Sequence, residues 1–132
     1  HAALEHVRDI RAFWPMAIHL TAPTDWHSHR IDLADHGRRE GNYLEMLEWS
    51  PWAWWATMRF VPGAINRWRA CEYLDAVQKL GLRVLSAKRE LRAQLPIPRN
   101  QLATRYRHLG DDELKTTAID IVARCEMPSC AS

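Results

Sequence analysis

Residues 69–88 read RACEYLDAVQKLGLRVLSAK. In its first half the apolar residues recur at helical spacing: Ala70, Tyr73, Leu74, Val77 and Leu80 fall on one stripe. Gly81 follows at the position where a helix commonly ends in a left-handed residue. Residues 82–88 then continue as an apolar-rich strand. A helix delivered straight into a strand makes a mixed helix–strand fold the expectation.

Two further segments carry the strand signature. Residues 26–33, WHSHRIDL, alternate, with His27, His29, Ile31 and Leu33 on one face and Trp26, Ser28, Arg30 and Asp32 on the other. Residues 116–125, TTAIDIVARC, alternate again. Helical spacing of Leu4, Val7, Ile10, Phe13, Trp14 and Ile18 predicts a helix over 3–20, kinked or split because Pro15 lies inside it. Residues 22–25 form a turn and 37–42 a polar loop, and 43–49 form a short helix. Ser50-Pro51 is a good helix start, with serine as cap and proline in the first turn. The Trp-rich helix that follows is broken at Val61-Pro62-Gly63. Residues 95–98 are extended, 100–108 and 111–114 form short helical turns, and the tail after 126 frays. The expectation is one domain over residues 1–132, an α/β fold in the form of an α+β-like unit of three strands with helices between them.

At 132 residues the chain can bury a core without disulfides or metals. The net charge of +2 and the lack of a concentrated basic stripe give no reason to expect nucleic acid as a partner. No apolar run is long enough to span a membrane. Three cysteines at irregular spacing do not read as a disulfide framework, so a reducing, cytoplasmic setting is expected. Cys71, inside the helical pattern, reads as a buried thiol; Cys125 and Cys130 either pair or stay free.

The densest chemistry lies in residues 27–36, HSHRIDLADH, which hold three histidines and two aspartates. His27 and His29, two apart on a strand, share a face and with Asp32, Asp35 or His36 offer metal donors. The plainer account is polar strand and loop residues, and no metal is expected. The same group suits general-base chemistry: His29, Asp32 and His36 are the catalytic candidates, with Asp32 or Asp35 orienting an imidazole. The competing role for the aspartates is pinning the loop through backbone N–H groups or pairing with Arg30 and Arg67. The Trp-rich helix is either a lid over a small molecule or packing surface; Trp52 and Trp55 are its candidate binding residues. Asn66, Arg67 and Arg69 precede the long helix, as an anion clamp or as caps and bridges. Arg105, Arg107 and His108 read as a solvated face.

Taken in order, five segments resemble the C-terminal half of a class I S-adenosylmethionine-dependent methyltransferase. LEHVRDIRAFW is similar to the segment after that family's fourth strand, and LTAPTDW stands where its Pro-Gly-Gly turn precedes the fifth strand. HRIDLADH resembles the fifth strand and the loop leaving it. INRWRACEYLDAVQKLGLRVLSAK resembles the helix before the sixth strand and the strand itself, and LATRYRHLGDDELKTTAIDIVARC the closing strand. The likeness covers residues 4–125 and implies a three-stranded sheet in the order five-seven-six. It also implies S-adenosylmethionine as cofactor, with Glu5 and His6 near its edge, and a small-molecule methyl acceptor.

The departures also count. The turn reads Pro23-Thr24-Asp25, without the family's glycines. The Gly-rich loop and the acidic ribose-binding residue of the cofactor half are missing from the sequence. The resemblance therefore implies a truncated methyltransferase-like chain, inactive alone. Its fifth strand would have an orphan edge, a template for a homodimer or a complementing N-terminal half. A small protein-interaction module, or a small-ligand binder using the His/Asp cluster and the Trp-rich helix, is the alternative.

Overall fold

The structure is a computed structural model, and it describes residues 4–19, 26–36 and 40–125. A 3₁₀ turn at Leu4–His6 precedes α1 (Ile10–His19), followed by β1 (Trp26–Asp32), α2 (Glu45–Glu48), α3 (Pro51–Met58), α4 (Ala70–Lys79) and β2 (Leu82–Leu91). Two further 3₁₀ turns, Arg99–Gln101 and Thr104–Tyr106, lead to α5 (Asp111–Lys115) and β3 (Thr116–Cys125).

The three strands form one sheet in the order β1-β3-β2, and β3 runs antiparallel to both neighbours. The expected three-strand α+β unit is observed, with the third strand in the middle. Among the described residues the sheet holds no parallel pair, whereas the methyltransferase sheet is mostly parallel, so the expected α/β class gives way to α+β. The burial pattern agrees. Ile31 on β1 and Ile119, Ile121 and Ala123 on β3 pack with Ile10 and Trp14 of α1 and Ala70, Tyr73 and Val77 of α4. On the other face Trp26, Ser28 and Arg30 are exposed, and Arg30 bonds to Asp120 at 3.0 Å and Glu90 at 2.5 Å. Among the described residues the helices α1 and α4 cover one face, and a half-buried antiparallel sheet alternates in the way residues 26–33 do.

A second, smaller core sits beside the first. Leu44, Met46, Leu47, Leu102, Tyr106 and Leu114 close it, with Trp54, Ile65 and Ile97 packed around it. It joins α2 and α3 to the 3₁₀ turns and α5.

Several boundaries have local causes. Pro15 lies within α1 rather than breaking it; the break falls before Ile10, where Asp9 accepts a hydrogen bond from the Ala12 N–H at 3.0 Å. Ser50 caps α3 as expected, its Oγ accepting from the Ala53 N–H at 3.2 Å. Gly81, at φ +75°, lets α4 turn into β2. β2 runs on to Leu91, three residues past the expected end, because residues 86–91 pair with β3 after a register shift at Val84/Ser86. The expected turn at 22–25 and the frayed tail after 126 lie outside the described residues, as do positions 37–39 of the expected polar loop. Among the described residues no helix is long and apolar enough to cross a membrane.

Candidate functional site

β1 divides the histidine-rich stretch between two environments. His27 and His29 point to the core face. Their rings lie nearly parallel, 6.2 Å apart, and Trp14 meets the His29 ring edge-on at 4.7 Å. Both His29 nitrogens are buried without a partner among the described residues. Burial, chiefly, with the charge of His27 adding to it, lowers the His29 pKa from 6.5 to about 4. His29 is thus a neutral aromatic filler of the core.

That state makes a pH prediction. An unfolded His29 takes up a proton below about pH 6.5, whereas the folded one resists until about pH 4. Its contribution to stability is whole above 6.5 and is lost as pH falls toward 4. Discounted for its incomplete burial, the loss is about 2 kcal/mol. In urea titrations from pH 7.5 to 4, H29F is expected to lose less stability than the parent chain. Parallel curves would rule out a buried neutral His29.

Asp32 and His36 lie on the other side of the strand. Asp32 Oδ2 stands 3.1 Å from His36 Nε2, and its Oδ1 accepts the Ala34 N–H at 2.9 Å. Both border a broad open groove with Tyr43, Glu90 and Arg92. Of the three catalytic candidates, Asp32 and His36 are therefore brought together, and His29 faces away from them. Arg30 pairs across the sheet with Glu90 and Asp120 rather than with Asp32.

The other candidates gather elsewhere. A cleft of about 330 Å³ opens between α3, the segment before α4 and the turn at Thr104–Tyr106. Trp55, Asn66 and Arg67 line it, with Trp54, Arg105 and Tyr106. Arg67 is only 8% exposed, its guanidinium carbon 5.1 Å from the Trp54 ring and 5.6 Å from that of Tyr106. Its Nη1 donates to the carbonyls of Met46 at 3.2 Å and Trp49 at 2.6 Å. Burial lowers its pKa and raises that of Tyr106. Asn66 is fully engaged: Nδ2 donates to the Leu4 and Val7 carbonyls, and Oδ1 accepts from the Trp68 N–H and the Tyr73 hydroxyl. Trp52 is not in the cleft wall and stands 75% exposed on α3.

No protein-family model, curated protein or solved structure matches the chain. What the site can do rests on its own residues. Glu5 and His6 stay beside one another, and His6 Nδ1 lies 2.6 Å from the Gly63 carbonyl oxygen, while Glu5 Oε2 is buried without a partner among the described residues. The described glycines sit in separate turns: Gly41 and Gly63 in loops, Gly81 between α4 and β2, Gly110 before α5. Gly41 lies in the segment that joins β1 to α2. Among the described residues no group of three or more His, Cys, Asp or Glu is placed to hold a metal.

Cys71 corrects another expectation, because it is exposed on α4 rather than buried. Partial burial first, then the Glu113 carboxylate, pushes its thiol up to about 11, against use as a nucleophile. Cys125 is partly buried and unpaired, and Cys130 lies outside the described residues. Arg8, Arg59 and Tyr106, which also line the cleft, have no sequence motif to mark them. Arg105 reads as part of a charged face, and only the fold brings it beside Arg67.

Proposed function

We propose that the chain is the acceptor-side half of a methyltransferase-like fold, and that it works only with a second copy or a complementing chain. The observation that supports this is the strand order. The last strand in sequence enters between the first two and runs against both, the arrangement the resemblance implies for strands five, seven and six. Association follows from the place of β1 at the edge of the sheet, where it pairs with β3 alone among the described residues; such an edge can template another strand.

Titration calorimetry with S-adenosylmethionine and S-adenosylhomocysteine, with the solution mass measured in parallel, tests it. The expected result is a mass above the 15.4 kDa of one chain and no cofactor uptake by the chain alone. A clean monomer overturns the association, and cofactor binding by that monomer overturns the half-fold reading. A second reading, a small-ligand binder, is favoured by the cleft that gathers Trp55 and Arg67 around one opening.

A further inference from the structure

We infer that this cleft binds an aromatic carboxylate, with the carboxylate on Arg67 and the ring against Trp54 and Trp55. The first observation is charge. Arg8, Arg59, Arg67 and Arg105 all line the cleft, and among the described residues no Asp or Glu does. Three of the four are already occupied. Arg8 donates to the carbonyls of Arg59 and Val61, Arg105 binds Glu72 at 2.6 Å, and Arg59 lies 4.3 Å from the Trp55 and Phe60 ring centres. Arg67 differs. Its Nη1 is committed to two carbonyls, which fixes the guanidinium plane, but its Nε–Nη2 edge has no acceptor among the described residues. Two parallel N–H groups on a fixed plane match the two oxygens of one carboxylate. A buried guanidinium held without a counter-anion is costly, and a bound carboxylate relieves that cost.

The second observation is independent of charge. Tyr106 is 2% exposed, yet its hydroxyl has no hydrogen-bond partner among the described residues. A buried hydroxyl left unpaired costs free energy, and such groups mark places where a ligand atom or water completes the network. It belongs to the ring whose centre lies 5.6 Å from the Arg67 guanidinium carbon.

The third is shape. Trp54, Trp55, Met58 and Ile65 give the cleft flat apolar walls. Its volume lies at the lower end of small-molecule sites. Inorganic phosphate would leave those walls uncovered, whereas one or two fused rings carrying a carboxylate would fill them. The inference rests on the small-ligand reading of the cleft and names its ligand class.

The test is titration of the full chain with benzoate and indole-3-carboxylate, followed by tryptophan fluorescence. Benzamide, cyclohexanecarboxylate and inorganic phosphate serve as comparisons. The two aromatic acids should saturate, with benzamide at least about 10-fold weaker because it lacks the charge. The saturated acid and phosphate should also bind more weakly. Y106F should weaken benzoate about 5-fold without lowering the urea midpoint, because the hydroxyl makes no native bond; a purely structural tyrosine would leave binding unchanged. W55A, at an exposed position, should weaken it similarly. Equal binding of benzoate and benzamide, no saturation by about 10 mM, or unchanged binding in both variants overturns the inference. No S-adenosylmethionine enters this titration, so its failure and failure of the methyltransferase reading are seen separately.

Discussion

Replacing Arg69 with alanine is expected to cost about 4 kcal/mol, much of the 5–15 kcal/mol that holds a domain of this size together. The side chain is fully buried. Its Nη1 donates to the Leu33 carbonyl at 2.8 Å, and its Nη2 to those of Glu113 at 2.8 Å and Thr116 at 2.5 Å. One guanidinium thus joins the exit of β1, the end of α5 and the start of β3 to the beginning of α4. Alanine would leave three carbonyls without their donor and open a cavity among them. Lysine supplies a charge but not the fork, and should recover less than half the loss. Urea unfolding followed by circular dichroism checks both variants. A loss under about 1 kcal/mol for R69A would mean that water replaces the guanidinium at no cost.

Asn66→Ala is the second large effect, about 3 kcal/mol. The amide makes four hydrogen bonds of 2.9–3.0 Å, two donated to residues 4–7 and two accepted from Trp68 and Tyr73. It fastens the first 3₁₀ turn to the start of α4. Asn66→Asp separates the two halves of that role. It keeps the acceptor for Trp68 and Tyr73 but sets a carboxylate against the Leu4 and Val7 carbonyls, so it should be at least as damaging as alanine. Were Asn66 chiefly a ligand contact, both variants would melt like the parent and differ only in binding.

The parts of the fold legible in the sequence were those governed by local periodicity and punctuation. The stripe from Ala70 to Leu80, the Gly81 turn, the Ser50 cap and the alternation over 116–125 all depend on neighbours within one turn or one strand. Cys71 is exposed because it lies off the stripe of Ala70, Tyr73 and Val77 that meets the sheet, so a place in the helix did not imply burial. The site was less legible. Asp32 and His36, four apart, meet as the spacing allows, but the strand alternation that groups His27 with His29 turns both away from Asp32. Arg67 and Tyr106 are 39 positions apart in the chain and meet only through the small core beneath them. No local pattern reports such a meeting, and an arginine in a run of charges looks the same whether solvated or stacked on a ring.

The central position of β3 also sets the order in which the chain can assemble as it is made. β1 and β2 leave the ribosome first, and neither bonds to the other in the finished sheet. Until residues 116–125 emerge, both present open backbone and an apolar face, held at best by the α1 and α4 helices. The sheet closes only when β3 takes its place between strands whose paired residues lie up to 98 positions earlier, at the Trp26–Arg124 pair. Such distant pairing makes folding slow, and the waiting strands are sites where nascent copies can capture one another.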